Sequence, residues 1–514
     1  MSRNRREFLS QVGQGMLVAA VGNTMAANLG VRPAYAGDDP RPLQFGAREP
    51  LVALLQGTPP DRLLPILVSR LRSGLSLNEL VAAGALANAR TFGGHDYNGY
   101  HAFMALAPAL RMAQATPESH RPLPVLKVLY RNTSFIESFG GRQSERLHEI
   151  EHHGTDDGPT GADLLREATR RRDVAAGERA LAGLLRSPLP AAFSRLQEQC
   201  VQDDTDVHRV VLAWRAWEAL DLTGKDAALT MLRQTIRFCS DAEQNRIRNN
   251  RPEPGIRAAL PKLLDQYRLA GRSAGQRRAD DAWIDRLSET VYAADRARAA
   301  EAVAAALAEG FAPDDIAEAI SLAANRLVLR DPGRESGSGD KPAGSVHGAS
   351  VGVHASDAAN AWRNITRVVE PRTVLSTLIV AAYHTAGQAG HANRQPLPWS
   401  EHLDAMKSKD AGALLAEADA AIRDRDQPRV CAIVHRYGEL GFPPQPVFQL
   451  LLRYATSEDG ALHAEKYYQT VAEEFGATRP AFRWRHLVGL ARVTASEYGF
   501  PAPGYDEASR LLGS

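Results

Sequence analysis

Residues 74–90, GLSLNELVAAGALANAR, align without a gap with residues 310–326, GFAPDDIAEAISLAANR. Each segment reads as the beginning of a helix. Ser76 and Glu79 have the spacing of a capping box, and Pro313 precedes two aspartates that suit a first turn. The apolar residues that follow recur at helical spacing. The pair therefore predicts two copies of one helical unit.

More blocks match in the same order further along the chain. Residues 97–102 match residues 350–355, and the segment that leads to His208 matches the one that leads to His463. An insertion at 331–345, rich in Gly, Ser, Asp and Pro, shifts the register in the second copy and predicts a surface loop. The common order indicates an internal duplication of a domain-sized unit.

We therefore predict an all-α protein. Two homologous helical halves, residues 50–245 and 300–500, are joined by a polar connector at 246–299. Aromatic residues make up only 6% of the chain, a composition that, with abundant alanine, favours helices over sheets. We expect a pseudo-two-fold relation between the halves, with the functional site near their interface.

The first 36 residues predict an export signal. Arg5-Arg6 is followed by Glu-Phe-Leu, a weakly apolar stretch and then Ala34-Tyr35-Ala36, which has the small-x-small pattern of a cleavage site. The pattern is typical of the twin-arginine route, which carries folded proteins, and it predicts a periplasmic location. No later segment reaches about 18 uninterrupted apolar residues, so we expect no membrane span in the mature chain.

Charge and motif content exclude several classes of protein. Lys and Arg total 61 and Asp and Glu total 60, so the net charge is +1 and no nucleic-acid partner is expected. The three cysteines, Cys200, Cys239 and Cys431, are too scattered for a disulfide scaffold or a cysteine-based zinc site. The chain has no CxxCH, which excludes covalent haem, and no phosphate-binding glycine motif or GxSxG elbow.

Three histidine positions recur in both halves, namely His95 with His347, His101 with His354, and His208 with His463. Imidazole is a common ligand of iron, copper and zinc. We predict a transition-metal site, iron or copper before zinc, with the ligands His101, His208, His354 and His463. His101 and His354 are also the predicted catalytic groups, and His95 and His347 are predicted to assist cofactor binding. The alternative is that each repeated histidine satisfies the same buried hydrogen bond twice.

Local sequence around these histidines supports a convergent geometry. A glycine stands two residues before His101 and two before His354, and we expect it to let the chain turn sharply into a helix. Two charged positions recur as well, Glu79 with Asp315 and Arg90 with Arg326. For these we favour structural ion pairs or caps over catalysis.

A second metal motif competes with the first. His148-Glu149-Ile150-Glu151-His152 fits H-E-x-x-H, in which two histidines one helical turn apart bind zinc and the glutamate activates water. Glu151 adds a charge inside the motif, the glycine at 154 interrupts a helix, and the second half has no copy. The motif leaves a zinc hydrolase as an alternative function.

The segment Asp96-Tyr97-Asn98-Gly99-Tyr100-His101, and its copy Val351-Gly352-Val353-His354, resemble the questin oxidase-like family. That resemblance implies a helical fold, oxygen insertion into polyketide-type ketones, and a functional histidine at His101 and, in the copy, at His354. The family is linked to intracellular NADPH-dependent chemistry, from which an exported chain departs. Residues 79–101 are also similar to carboxymuconolactone decarboxylase-like proteins, but they lack the CxxC of their peroxidase members.

Together these features predict an exported, metal-dependent oxygenase or other oxidoreductase. Its partners would be a small-molecule substrate or a redox partner in the cell envelope. The alternatives are a non-enzymatic helical scaffold of the envelope and the zinc hydrolase at His148, Glu149 and His152.

Overall fold

The computed structural model describes residues 41–150, 159–337, 342–346 and 350–513, and these residues are all-α, with no β-strand among them. The predicted export signal, His152 and His347 lie outside the described residues. Residues Leu43–Ser514 form one compact unit. Among the described helices, none combines the length and the apolar character that crossing a membrane requires.

The first part of the chain contributes the helices α1 (Glu49–Gly57), α2 (Pro60–Arg72), α3 (Leu77–Phe92), α4 (Tyr97–Ala115), α5 (Leu123–Ser138), α6 (Pro159–Arg171), α7 (Val174–Leu184), α8 (Leu189–Gln199), α9 (Val207–Glu218), α10 (Leu220–Thr223), α11 (Ala228–Arg248) and α12 (Ile256–Gln266).

The second part contributes α13 (Asp281–Ala293), α14 (Arg296–Ala308), α15 (Pro313–Arg330), α16 (Val351–Thr366), α17 (Pro371–Thr385), α18 (Ser400–Ala405), α19 (Ala411–Arg423), α20 (Gln427–Glu439), α21 (Gln445–Ser457), α22 (His463–Ala477), α23 (Trp484–Glu497) and α24 (Tyr505–Leu512).

The two aligned segments, residues 74–90 and 310–326, form most of α3 and α15. At the start of α3, the Ser76 side chain accepts a hydrogen bond from the Glu79 N–H at 3.1 Å, as the capping box predicts. The helix ends at Gly93, whose φ of 56° suits a residue without a Cβ. Pro313 opens α15, with Asp314 and Asp315 in its first turn.

The two parts of the chain pack in corresponding ways. α3 packs on α4 as α15 packs on α16, and α4 packs on α5 as α16 packs on α17. Other contacts cross between the parts: α9 packs on α16, and α22 packs on α4. These contacts bring the beginnings of four helices from both halves together. The duplication and the pseudo-two-fold relation themselves stay predictions from the sequence.

The predicted connector at 246–299 is largely helical. It holds α12, α13 and the beginning of α14. α12 packs on α14 and α17, and α24 at the end of the chain packs correspondingly on α2 and α5. The helix that follows each predicted half thus packs on the other half, and the two halves do not form separate compact units.

The glycines before His101 and His354 have a role that differs from the predicted one. Gly99 and Gly352 lie inside α4 and α16 and do not have a positive φ. A Cβ on Gly352 would lie 2.6 Å from the Cα of Val328, and a Cβ on Gly99 would meet the ring of Phe92. The expectation of a sharp turn at these glycines is therefore wrong, because what they permit is close helix packing.

The recurring charged residues form ion pairs at equivalent places. Buried Arg90 pairs with Glu49 of α1 at 2.8 Å, and Arg326 pairs with Asp285 of α13 at 2.8 Å. Glu79 pairs with Arg48 at 3.0 Å, and Asp315 with Arg278 at 2.8 Å, each acid joining its helix to the segment before α1 or α13. These contacts agree with the structural role that the sequence favoured.

Candidate metal centre

Four histidine rings meet between the two halves. The ring centres of His101 and His208 are 4.8 Å apart, and those of His101 and His463 are 4.9 Å apart. His354 completes the group, 5.4 Å from His208 and 5.5 Å from His463. We call His101, His208, His354 and His463 the histidine cluster. They are the four residues that the sequence analysis proposed as metal ligands.

Each ring of the cluster stands at the beginning of a different helix. His463 is the first residue of α22 and His208 the second of α9, while His354 and His101 lie about one turn into α16 and α4. Two of these helices belong to each half, and the crossed packing of α9 on α16 and of α22 on α4 brings them together. The cluster therefore requires both halves.

The Nδ1 atoms of three rings are held by neighbouring oxygen atoms. His101 Nδ1 lies 2.7 Å from the Tyr97 carbonyl oxygen, and His463 Nδ1 lies 3.0 Å from the Ala461 carbonyl oxygen. His208 Nδ1 lies 3.4 Å from a carboxylate oxygen of Asp206. A carbonyl accepts only from a protonated nitrogen, so in His101 and His463 the Nε2 atom carries the lone pair. Oxygen partners of this kind orient metal-binding histidines in general.

The Nε2 atoms of one pair of rings approach each other. His354 Nε2 and His463 Nε2 are 3.4 Å apart. Two nitrogens bound to one tetrahedral ion at about 2.0–2.1 Å lie about 3.4 Å from each other. The Nε2 atoms of His101 and His208 are buried and have no hydrogen-bond partner among the described residues. A bound ion would satisfy these buried acceptors.

The rings do not already surround a point at coordination distance. No group of three or more His, Cys, Asp or Glu side chains in the described part of the chain stands as a ready metal site. Binding an ion would require the imidazoles to rotate so that their Nε2 atoms converge.

The environment keeps the imidazole of His101 neutral. Its ring is buried, with 2% of its surface exposed. Burial lowers the pKa of His101 well below its usual value, and the charge of Lys466 and the neighbouring His208 and His463 lower it further. A neutral ring is the form that binds metal ions. Burial alone would raise the pKa of Asp206, but its contacts with His208 and Arg209 hold it well below the usual value, so the carboxylate stays ionised.

Strained backbone aims two of the rings. Asp96, directly before α4, has a φ of 65°, and Ala461 and Leu462, directly before His463, have φ values of 48° and 66°. Residues with side chains are uncommon in this left-handed region, and such strain concentrates at functional sites. The Ala461 carbonyl that accepts from His463 belongs to this turn.

An aromatic wall covers the first-half side of the cluster. The Tyr97 ring centre lies 4.1 Å from that of His101, and Tyr100 lies 5.0 Å from His101 and 5.3 Å from His208. Phe238 packs against Tyr100 at 5.2 Å. The sequence analysis assigned no role to these side chains. A signal was available, because the second copy has Ser350 and Val353 where the first has Tyr97 and Tyr100.

A buried polar group lies on the second-half side. Lys466 is one helical turn beyond His463, and Asp357 is one turn beyond His354. The Thr470 hydroxyl donates to Asp357 at 2.9 Å. Burial lowers the pKa of Lys466 to about 8 and raises that of Asp357, while each charge favours the ionised form of the other. The corresponding residues of the first copy are apolar, so repeat comparison alone did not reveal this group.

His95 does not join the histidine cluster. Its Nδ1 contacts the carboxylate of Asp241, and its Nε2 lies 3.3 Å from Arg237. Its expected part in cofactor binding stays a prediction, as does that of His347, which is outside the described residues. The further histidine His384 is buried and accepts a hydrogen bond at Nδ1 from the indole of Trp362 at 3.1 Å, which is a structural role.

The H-E-x-x-H segment lacks the helix that its motif requires. Residues 145–150 are not helical, and the His148 carbonyl accepts a hydrogen bond from Arg233 at 2.8 Å. The motif depends on a helical turn to place both histidines on one face. The interpretation of His148 and Glu149 as part of a zinc-binding helix is therefore wrong, and His152 lies outside the described residues.

The sequence matches no known family model, no curated protein and no solved structure. The resemblance to the questin oxidase-like family stays an expectation from short segments of the sequence.

Proposed function

We propose that this chain is a metal-dependent oxidoreductase whose ion is held by the histidine cluster. The carrying observation is that four imidazoles from four helices meet, with the Nε2 atoms of His101 and His208 buried and without a hydrogen-bond partner in the described chain. Structural histidines are normally satisfied by a protein group. Here Nδ1 of His101 and of His463 is held by a backbone carbonyl oxygen, which leaves Nε2 as the nitrogen that can bind an ion.

The donor set is compatible with a redox-active ion. Imidazole suits iron, copper and zinc, and ligation by nitrogen alone, without thiolate or carboxylate, is compatible with all three. Iron or copper, our preferred ions, would supply one-electron exchange with a substrate or with oxygen. The protein's part is to hold the ring of His101 neutral, to fix the tautomers of His101 and His463, and to pack Tyr97 and Tyr100 against the site.

The predicted export signal fits this proposal. A protein exported in the folded state can receive its metal in the cytoplasm and carry it to the periplasm. The substrate would then be a small molecule, or the partner a redox protein of the cell envelope. Oxygen insertion, which the family resemblance implies, is one reaction within this proposal.

Metal analysis of the exported full-length protein tests the proposal. We expect close to one equivalent of iron or copper, with loss of most of it in His101→Ala and in His463→Ala, one substitution in each half. His435→Ala is the matched control, because its ring lies on α20 beside Glu439 and outside the cluster, and this variant should keep its metal.

Other outcomes would contradict the proposal. A chain without metal and with a featureless absorption spectrum would favour the scaffold function. A chain that binds only zinc, with no redox-active ion, would exclude the oxidoreductase. Circular dichroism of each variant separates loss of a ligand from loss of the fold.

A further inference from the structure

The solvent side of the histidine cluster is acidic. We call Asp96, Asp206 and Asp241 the acidic rim. The side chains of Asp206 and Asp241 are 43% and 46% exposed. Burial raises the pKa of Tyr100, and the negative charges of all three rim residues raise it further. The ring of Tyr100 lies against the cluster, so the three carboxylates share its neighbourhood.

No Lys or Arg of the described chain forms an ion pair with the rim, and the ion-pair partners of Asp206 and Asp241 are the rings of His208 and His95. Asp96 accepts from the Gly99 N–H at the beginning of α4, and Asp206 accepts from two N–H groups at the beginning of α9. Asp241 contacts the ring of His95. The guanidinium nearest to that ring, Arg237, pairs instead with Glu178. The rim therefore presents negative charge to the solvent.

Tyr97 is exposed to solvent and contacts the cluster. The residue is 39% exposed, yet its ring centre is 4.1 Å from His101 and 6.0 Å from His208. Its carbonyl oxygen is fixed by the hydrogen bond from His101 Nδ1. The phenol ring can therefore move about its own side-chain torsions while the backbone that orients His101 stays in place.

Behind Tyr97 stands a buried acceptor for a cation. His101 is 2% exposed, and its Nε2 atom has no hydrogen-bond partner in the described chain. Exposed carboxylates near the cluster attract cations, and the unpaired Nε2 of His101 beneath the exposed Tyr97 ring can accept one. We propose that a divalent cation enters the histidine cluster through the acidic rim and that the Tyr97 side chain gates this entry.

This inference rests on the proposed metal centre and adds the route by which it is loaded. Surface charge of one sign concentrates the opposite ion at a cleft and accelerates its association by about 10- to 1000-fold. Salt suppresses the effect, since the Debye length falls from about 30 Å at 0.01 M to about 8 Å at 0.15 M. The rim should thus control the rate of entry at low salt.

Stopped-flow uptake of Co²⁺ by the metal-free, full-length protein measures that rate through the visible absorption of the bound ion. We expect the double variant Asp96→Asn/Asp241→Asn to associate about tenfold more slowly at low salt, with unchanged dissociation and no difference at high salt. Asparagine preserves the cap and tolerates the positive φ of Asp96. The control is Asp410→Asn/Asp424→Asn, which removes one capping and one exposed carboxylate elsewhere and should not alter the rate.

A second experiment tests the gating role of Tyr97 without any metal. Diethyl pyrocarbonate modifies accessible imidazole nitrogens, and peptide mass spectrometry locates the product. We expect His101 and His208 to react about tenfold faster in Tyr97→Ala than in the wild type, and at the wild-type rate in Tyr97→Phe, which keeps the ring.

The results separate the two proposals. Equal uptake rates of the rim variant and the wild type at low salt would overturn entry through the acidic rim. Unchanged histidine reactivity in Tyr97→Ala would overturn the gating role of Tyr97. If no cobalt spectrum develops, the proposed metal centre fails and the entry route fails with it. If cobalt binds normally but neither variant differs from the wild type, the entry route alone fails.

Discussion

Asp206 acts on its helix and on its histidine together. It caps α9 by accepting from the His208 and Arg209 N–H groups at 2.9 and 3.2 Å, and its carboxylate lies 3.4 Å from His208 Nδ1. In Asp206→Asn the cap remains, but the charge that supports the imidazole is lost. We expect metal affinity to fall by about 10- to 100-fold with little change in stability. Competition with a chelator measures the affinity.

A matched control exists in the second half. Asp426 caps α20 in the same way, accepting from the Arg429 N–H at 3.0 Å. Asp426→Asn should therefore leave metal affinity unchanged. If Asp206→Asn binds metal as tightly as this control, Asp206 does not position His208.

Buried neutral histidines predict a stability that depends on pH. Burial lowers the pKa of His384 to about 4 and that of His486 to about 4, both from about 6.5. Below pH 6.5 the unfolded chain takes up protons that the folded chain does not. The contribution of these histidines to the free energy of unfolding is therefore fully present above pH 6.5 and is lost as the pH falls towards 4. Each group contributes up to about 3 kcal/mol over this interval.

Urea denaturation of the metal-free protein at several pH values between 7 and 4 checks this slope. His384→Gln removes one titrating group, so its loss of stability over the same interval should be smaller by about 3 kcal/mol. The half-buried His435, on α20, provides the control substitution His435→Gln, whose slope is compared with that of His384→Gln. If the stability of His384→Gln depended on pH as strongly as that of the wild type, His384 would not be a source of the pH dependence.

The residues of the histidine cluster could be predicted from the sequence, and the side chains around them could not. His101, His208, His354 and His463 were selectable because each recurs in the other copy at a helix start. Functional side chains that differ between the copies carry no such signal. A search for recurring residues therefore did not find Tyr97 or Lys466, although both lie beside the cluster, and only the difference between the copies at Tyr97 could have indicated that residue.

Among the helices, α16 and α15 approach each other so closely at Gly352 that the contact fixes the position of α16, which carries His354. A Cβ on Gly352 would lie 2.6 Å from the Cα of Val328 and would also meet its peptide nitrogen, and backbone cannot yield as a side chain can. Gly352→Ala should push α16 and His354 outwards. We expect a loss of about 1–3 kcal/mol in the free energy of unfolding, together with weaker metal binding.

Gly476, near the end of α22, is the control for this prediction. A Cβ there meets nothing within 4 Å, so Gly476→Ala should stabilise the helix by about 0.5–1 kcal/mol. Thermal unfolding of both variants gives the comparison. Equal effects of the two substitutions would show that the contact at Gly352 does not constrain α16.

The sequence predicted helices more securely than the turns between them. Capping residues and helical periodicity correctly placed the starts of α3 and α15. The glycine at 352 was misread, because one sequence cannot distinguish a glycine that turns the chain from one that admits a neighbouring backbone. The left-handed turn at Ala461 and Leu462 had no signal at all, since neither residue favours that conformation.

Over the whole molecule, the two halves are bound to each other by more than the cluster. Lys127 of α5 and Glu465 of α22 form a buried pair at 2.7 Å, and Lys127 Nζ also donates to the Ala455 and Glu458 carbonyl oxygens at 2.8 and 2.7 Å. Sequence periodicity could suggest two similar units, but long-range pairing of this kind has no local pattern. The halves were therefore predicted as domains joined by a connector, whereas Leu43–Ser514 form one unit.

This architecture predicts that the chain unfolds as one cooperative unit and that metal stabilises all of it. Two ligands come from each half, so an ion can stay bound only while both are folded. At a metal concentration about 100 times the Kd, the free energy of unfolding should rise by about 2.7 kcal/mol. Urea denaturation followed by circular dichroism and by tryptophan fluorescence should give coincident single transitions that shift together when metal is added. Two separable transitions, of which metal shifts only one, would mean that one half alone holds the ion, and the crossed packing of α9 and α22 would then have no part in the centre.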